Sequence, residues 1–182
     1  MKLLQIDTAG YFKVYRENFV SKKRIFASMC SLVNRYAFVS GGREVGKNLL
    51  DLVERYDLMA DQWLVMPSLN VARHSHASCG MPNGDVYVFC GKKQLNLEIT
   101  SIEKYAKAST NIFGRWNLIQ VYPRIDPRTY PVLAALNSNE IVLIGGKKGQ
   151  RRVNDVWIVD TRALSTKLIK ECEKAQEHNT TE

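Results

Sequence analysis

The sequence predicts an all-β fold made of one unit repeated three times. Three apolar runs, 36–42 (YAFVSGG), 86–91 (VYVFCG) and 141–146 (IVLIGG), each end in glycine. Their β-branched and aromatic residues favour strands, and glycine lets the chain turn where a side chain would obstruct it. Because the runs are spaced by roughly 50 residues, they indicate an array of repeats, each long enough for four short strands.

Other residues recur in register with these glycines, which makes the repeat specific. An arginine precedes the second glycine of each unit by a constant interval, and an aromatic or apolar residue follows at nearly constant spacing. A tryptophan comes next in the first two units. The recurring residues are Arg24, Arg73 and Arg128 before the glycines, and Tyr56-Asp57, Tyr105-Ala106, Val159-Asp160, Trp63 and Trp116 after them.

This pattern of a glycine pair, then Tyr-Asp, then Trp resembles the kelch repeat family, whose unit is a four-stranded β-propeller blade. The resemblance covers roughly residues 20–170 and implies a partial propeller of about three and a half blades. Cys90 and Ala106 depart from the pattern in the second unit, and the third has no tryptophan in its fourth strand. The structural repeat positions that it implies are Gly41, Gly42, Gly91, Gly145, Gly146, Tyr56, Asp57 and Trp63.

The repeat also divides the chain. A half blade is expected over 1–20, whole blades over 21–70, 71–122 and 123–170, and a polar tail over 171–182. The four strands of the first whole blade are expected at 25–30, 36–40, 52–56 and 63–66. The run 141–144 is apolar at every position, which is typical of a sheet packed on both faces.

Half a blade and three whole blades do not make a closed ring, since propellers close with four to eight blades. Two blade faces are therefore expected to lie open. A second copy of the chain, a complementary half-propeller or a longer polypeptide would cover them.

Composition and charge limit the functional classes. The chain has 182 residues, is 45% hydrophobic and carries a net charge of +8. Its apolar runs are far shorter than the roughly 20 residues that a spanning helix needs, and it shows no secretory signal pattern, so no membrane association and a cytoplasmic location are expected. Cys30, Cys79, Cys90 and Cys172 form no C-x-x-C pair and are predicted to be reduced, mostly buried hydrophobes.

Two local patterns suggest chemistry that the repeat explains better. The segment 41–48 (GGREVGKN) matches a phosphate-binding loop except at Asn48, which lacks the hydroxyl that ligates Mg²⁺, and the repeat places a strand where that loop needs a helix. His74 and His76 are two residues apart and could share a strand face, but two ligands are too few for a metal. Since no catalytic set of residues is recognised, the sequence predicts a non-enzymatic protein with no metal and no cofactor.

The distribution of basic residues is the main functional signal. In a blade, the loop between strands two and three and the connection to the next blade emerge on the same face. These segments hold Lys22, Lys23, Arg24, Arg43, Lys47, Arg73, Lys92, Lys93, Arg124, Arg128, Lys147, Lys148, Arg151 and Arg152, against Glu44 and Asp126 as the counted acids. The net charge is thus concentrated on one face.

The sequence therefore predicts a protein-interaction module, or scaffold, that presents a basic loop face to an acidic segment of a partner protein. Solvated loops without a ligand are the alternative for these residues, and nucleic acid or another polyanion is the alternative ligand. Nucleic acid is less expected because the loops are expected to lack aromatic residues on which bases could stack. The candidate binding residues are Arg43, Lys47, Lys92, Lys93, Lys147, Lys148, Arg151 and Arg152.

Overall fold

A computed structural model describes residues 3–6, 12–15, 22–44, 46, 48–94, 97–106 and 114–170. This part of the chain contains β-strands and no α-helix. The strands are β1 (Leu3–Ile6), β2 (Phe12–Tyr15), β3 (Ser28–Leu32), β4 (Tyr36–Ser40), β5 (Val53–Asp57), β6 (Gln62–Met66), β7 (Ala77–Gly80), β8 (Val86–Phe89), β9 (Ile102–Ala106), β10 (Arg115–Ile119), β11 (Val132–Ala135), β12 (Glu140–Lys148), β13 (Arg151–Asp160) and β14 (Ser165–Lys170).

The strands form three four-stranded antiparallel sheets in chain order. We call them blade 1 (β3 to β6), blade 2 (β7 to β10) and blade 3 (β11 to β14). Within each blade every strand pairs with the next one along the chain. Strands β1 and β2 make a separate two-stranded antiparallel sheet. The predicted all-β, partial-propeller architecture is confirmed.

Blade 2 is packed on both faces, and alternate side chains of its strands enter different cores. Val88 and Trp116 join Phe38 of blade 1 in one buried cluster. Phe89 and Ile102 point the other way and join residues of blade 3 in a second cluster. The alternation is the two-residue period of a β-strand, and it stacks the three blades face to face.

A buried arginine ties the loops of each blade to its sheet. The Arg73 guanidinium pairs with Glu103 at 2.7 Å and donates to the carbonyl oxygens of Cys90 and Ser101, each at 2.9 Å. Arg24 and Arg128 make the corresponding pairs with an acid on the third strand, Glu54 and Asp155 respectively. The constant interval seen in the sequence thus marks a structural position.

The Tyr-Asp motif closes the turn between strands three and four. Asp57 accepts hydrogen bonds from the backbone N–H groups of Met59 and Ala60, at 3.0 and 3.3 Å. The forked contact with the Arg35 guanidinium is the main reason that the pKa of Asp57 is lowered to about 2. In blade 3, Asp160 caps the same turn.

The first strand of blade 1 begins later than predicted. Strand β3 starts at Ser28 instead of residue 25, because Phe26 has a φ of 57° and interrupts the extended backbone. Ile25 makes only an isolated bridge, with Arg43. The other predicted strands of this blade agree with β4, β5 and β6 to within about a residue, the usual uncertainty of strand ends.

The glycine pair of blade 3 does not end its strand, in contrast to the prediction. Strands β12 and β13 continue past Gly145 and Gly146, and the ladder shifts register there as a bulge. The two glycines have φ values of 59° and 106°, which absorb the shift. The predicted open loop is therefore a long hairpin whose turn contains Gly149 and Gln150.

The run 141–144 is packed on one face, where the sequence predicted two. Ile141 and Leu143 are buried against blade 2, whereas Val142 is half-buried and Ile144 is 44% exposed. Among the described residues, no blade lies beyond this face. One of the two open faces expected from the blade count is therefore present.

Candidate functional loop face

The loops after the glycines lie against the segments that enter the blades. Isolated antiparallel bridges join Ile25 to Arg43, His74 to Lys92 and Thr129 to Lys147. The first residue after the glycine of each blade is thus basic and is held beside the entry segment of its own blade. We call this surface, residues 22–27, 41–44, 46, 48–52, 67–76, 91–94, 97–101, 121–131 and 145–152, the loop face.

Close backbone packing explains the glycines at the edge of this face. The N–H of Gly42 donates to the Arg73 carbonyl at 2.8 Å, and that of Gly91 donates to the Arg128 carbonyl at 2.9 Å, so each blade is bonded to the segment entering the next. A Cβ at Gly91 would lie 2.7 Å from the His74 carbonyl oxygen. Glycine is needed there for contact as well as for its φ of 97°.

Two exposed aromatic residues, Phe26 and Tyr130, lie on the loop face beside the buried His74 and Ser75. Phe26, Ser75 and Tyr130 hold the same repeat position, two residues after the buried arginine, and all have φ values between 54° and 57°. The Ser75 N–H donates to the Phe26 carbonyl at 2.9 Å, and the Tyr130 N–H donates to the Ser75 carbonyl at 2.8 Å. Phe26 is 47% exposed and Tyr130 is 51% exposed. We call Phe26, His74, Ser75 and Tyr130 the axial cluster.

This cluster corrects the expectation that the face lacks aromatic residues. The ring of Phe26 lies 5.9 Å from that of His74 and 6.4 Å from that of Tyr130. Sequence reasoning missed these residues, because their exposure follows from left-handed backbone that composition does not reveal.

Four cations meet on the extended hairpin of blade 3. Lys147 is directly opposite Arg152, and Lys148 is directly opposite Arg151. Like charges placed opposite each other across an antiparallel pair are destabilising. Lys148 forms an ion pair with Asp126, which offsets part of this repulsion. We call residues 147–152 the basic hairpin.

Comparison with protein families finds a match over blade 1. The family model of the Kelch motif matches residues 30–70, which run from the third residue of β3 past the end of β6. Residues 30–70 thus carry a kelch motif. Comparison with curated proteins finds no match. Kelch repeats generally serve as non-enzymatic scaffolds, and the motif indicates a protein–protein interaction module.

The loop face holds the remaining candidate residues in different environments. Arg43 is half-buried, Lys93 is exposed, and the Lys92 ammonium lies 3.9 Å from the Glu98 carboxylate. Lys47 lies outside the described residues. Glu98 also accepts hydrogen bonds from the N–H of Gly149, at 3.0 and 3.1 Å, and so joins the basic hairpin to the neighbouring loop.

The charge count from the sequence needs two corrections. Arg24, Arg73 and Arg128 are buried in ion pairs, so they are not available to a ligand. Asp51 and Glu98 belong to the same face and were not counted. The loop face therefore stays basic, but its usable cations are those of the glycine loops and the basic hairpin.

The two histidines that enter blade 2 have separate environments. His76 is buried with its Nε2 atom 2.9 Å from Ser40 Oγ, and burial lowers its pKa to about 3. His74 contacts Ser75 Oγ through Nδ1 at 2.9 Å, and its pKa is lowered by burial and then by Arg43 and Lys92. They do not share a strand as expected, because β7 begins at Ala77.

The other chemical patterns have structural explanations. After the phosphate-loop-like segment the chain forms strand β5, as the repeat predicts, where nucleotide binding needs a helix. Burial raises the pKa of Cys30 and of Cys90 to about 12, so these thiols are unreactive. In the described ranges, no group of His, Cys, Asp and Glu side chains could hold a metal ion. No helix among those residues is long and apolar enough to cross a membrane.

Proposed function

We propose that this kelch-repeat protein is a non-enzymatic scaffold whose loop face captures an acidic segment of a partner protein. The observation that carries the proposal is the basic hairpin, where Lys147 opposes Arg152 and Lys148 opposes Arg151. A carboxylate-rich ligand would relieve this repulsion, and arginine forks suit carboxylates. The like-charge pairs destabilise the hairpin when no anion is bound, and a bound anion would offset this cost.

The axial cluster gives the captured segment an apolar anchor. Phe26 and Tyr130 are exposed at the centre of the face, and Arg43, Lys92 and Lys147 follow the glycines around them. Exposed aromatic side chains surrounded by polar residues are typical centres of binding energy in interfaces. The preferred segment therefore combines several acidic residues with one aromatic residue.

Single-stranded nucleic acid is the second candidate, and the same aromatic cluster favours it. Proteins that bind single strands combine a basic groove with aromatic side chains on which successive bases stack. Here Phe26 and Tyr130 meet edge to face, at an interplanar angle of 72°, and they form one cluster. A single anchor fits one side chain better than a row of bases.

Charge reversal tests the proposal. The variant with Lys92, Lys93, Arg151 and Arg152 changed to Glu is expected to weaken binding of a fluorescent peptide rich in Asp and Glu, with one Phe, by at least about 100-fold, because it removes four attractions and adds four repulsions. Binding to the unchanged protein should fall steeply as salt is raised. Fluorescence anisotropy measures both effects, and a labelled oligothymidine is titrated in parallel.

The control changes Arg115 and Arg162 to Glu, since both are exposed and lie outside the loop face. It should bind the acidic peptide with an affinity within about threefold of the unchanged protein, as expected for remote, partly screened charges. Equal binding by the four-residue variant contradicts the loop-face proposal. Tighter binding of oligothymidine than of the peptide favours the nucleic-acid alternative.

Two further parts of the proposal concern the assembly of the protein and its location. We propose that the exposed blade faces are covered by a second copy or a complementary half-propeller, as the incomplete ring suggests. The cytoplasmic location stays a prediction, as do the blade boundaries.

A further inference from the structure

The exposed face of blade 3 repeats a surface that is buried in the other blades. We call the face of a blade that points to the following blade its exit face. On the exit face of blade 2, Phe89 and Cys79 are buried in the core shared with blade 3. The residues at the same distances from the glycines of blade 3 are Ile144 and Ala134, and both are exposed. Blade 3 thus exposes residues whose repeat equivalents in blade 2 are buried in a core.

The exit face of blade 3 is apolar over its two inner strands. Val132 pairs with Ile144, and Ala134 pairs with Val142, so all four side chains share one face of β11 and β12. Val132 is 61% exposed and Ile144 is 44% exposed. Contiguous apolar area of this kind on a soluble protein marks an interaction surface.

The two junctions inside the chain show which surface covers an exit face. In both cases it is the opposite side of the next blade, which we call its entry face. Val86 and Val88 form this side in blade 2, and Ile141 and Leu143 form it in blade 3. The same repeat positions in blade 1 are Ala37 and Val39, which are half-buried.

The entry face of blade 1 is also incompletely covered. Met29, on β3, is 58% exposed, and Val65, on β6, is 59% exposed. The register of blade 1 puts Met29 opposite Val39, and Glu54 between Val39 and Val65, so these residues share one face. Blades 1 to 3 therefore leave the exit face of blade 3 and part of the entry face of blade 1 exposed, and these two faces are complementary by repeat.

We propose that the exit face of blade 3, formed by Val132, Ala134, Val142 and Ile144, packs against the entry face of blade 1 of a second copy of this chain. The contact continues the junction that already joins blade 1 to blade 2 and blade 2 to blade 3. Two copies related by a twofold axis form the junction twice, which closes a ring of six described blades. This deepens the assembly part of the proposed function and does not depend on the loop face.

Sedimentation velocity over a concentration series tests the assembly. The unchanged protein is expected to sediment as a species of twice the 20.8 kDa chain mass. Ile144→Glu is expected to raise the dissociation constant of this dimer at least about 100-fold, since it buries an unpaired charge at both junctions. Val132→Glu is expected to raise the dissociation constant of the dimer by a similar factor. Met59→Glu is the control, because Met59 is 81% exposed in a turn outside this face; it should remain dimeric.

Cross-linking distinguishes the head-to-tail contact from other dimers. In a Cys172→Ser background, Ile144→Cys and Val39→Cys chains are mixed and treated with a bis-maleimide that spans roughly 10 Å, the distance between packed sheets. The mixture should yield a covalent dimer and neither variant alone should. An unchanged protein that is monomeric at every concentration, or an Ile144→Cys chain that links to itself, overturns the proposal. Ile144→Glu should bind the acidic peptide with unchanged affinity. Failure of the assembly proposal can therefore be distinguished from failure of the loop-face proposal.

Discussion

Replacing Arg73 with methionine is expected to destabilise the protein by about 3–5 kcal/mol, the loss typical of removing one partner of a buried ion pair. Arg73 and Glu103 are both fully buried. Without the guanidinium, the Glu103 carboxylate keeps its hydrogen bonds from the N–H groups of Asn70 and Val71 but loses its counter-charge. The Cys90 carbonyl also loses the arginine as a donor, whereas the Ser101 carbonyl keeps the hydrogen bond from the Cys90 N–H at 3.2 Å. Urea denaturation measures the change in the free energy of unfolding.

Two further variants make the result specific. Arg115→Met removes an exposed arginine from β10 and should change the free energy of unfolding by no more than about 0.5 kcal/mol. Adding Glu103→Gln to Arg73→Met should recover part of the loss, because it removes the unpaired charge and keeps a carbonyl oxygen as acceptor. If Arg73→Met is as mild as the control, the buried arginine does not support the repeat as we describe.

The second large effect is expected at Gly91. Gly91→Ala and Gly84→Ala place a Cβ on backbone with nearly the same φ, 97° and 93°. The Cβ at Gly84 meets nothing within 4 Å, whereas the Cβ at Gly91 meets the His74 carbonyl oxygen at 2.7 Å and His76 Cβ at 2.8 Å. Gly84→Ala should cost about 1–2 kcal/mol from backbone strain. Gly91→Ala should cost about 1–3 kcal/mol more, because the backbone of the entry segment must move.

The difference between the two alanine variants isolates the close approach from the φ requirement. Thermal denaturation of both proteins, followed by circular dichroism, gives the comparison. Equal losses would mean that Gly91 is needed only for its φ, and that the contact between the loop and the entry segment leaves room for a Cβ.

Sequence reasoning succeeded where one residue type has one physical use. Glycine after an apolar run located the ends of β4 and β8, because only glycine combines a positive φ with close backbone contact there. Cys90 shows that the rule is not absolute, since it takes a φ of 61° at the position of a repeat glycine. In blade 3 the same glycines became a bulge, because the chain folds back at Gly149 and the ladder can continue.

The candidate site was predicted in part for related reasons. The basic residues after the glycines were visible because the repeat fixes which end of a blade they reach, and Lys147, Lys148, Arg151 and Arg152 do come together. Their pairing across a hairpin was not visible, because it depends on the continued ladder. The axial aromatics were missed because Phe26 was assigned to a strand, where its side chain would not stand at the centre of the loop face.

The buried arginines could have been recognised from the sequence, but only part of the pattern was interpreted correctly. Their constant interval was recognised, and a structural role was open, yet they were counted with the basic face. Glu54 and Glu103 also recur at a constant distance after the glycines. Pairing the two intervals would have identified the ion pairs of blades 1 and 2. Asp155 departs from this spacing, since the residue opposite Leu143, where the other blades have the glutamate, is Trp157.

The most direct test of the loop-face account is a map of where an acidic, aromatic peptide binds. Amide chemical shifts of the ¹⁵N-labelled protein are followed while the peptide rich in Asp and Glu, with one Phe, is added. The account predicts saturable shifts at Phe26, Arg43, Lys92, Tyr130 and Lys147, and unchanged signals at the far turns around Met59, Asn83 and Asn137. Shifts confined to the far turns, or no saturable shift on the loop face at millimolar peptide, a range that spans weak binding, would contradict it.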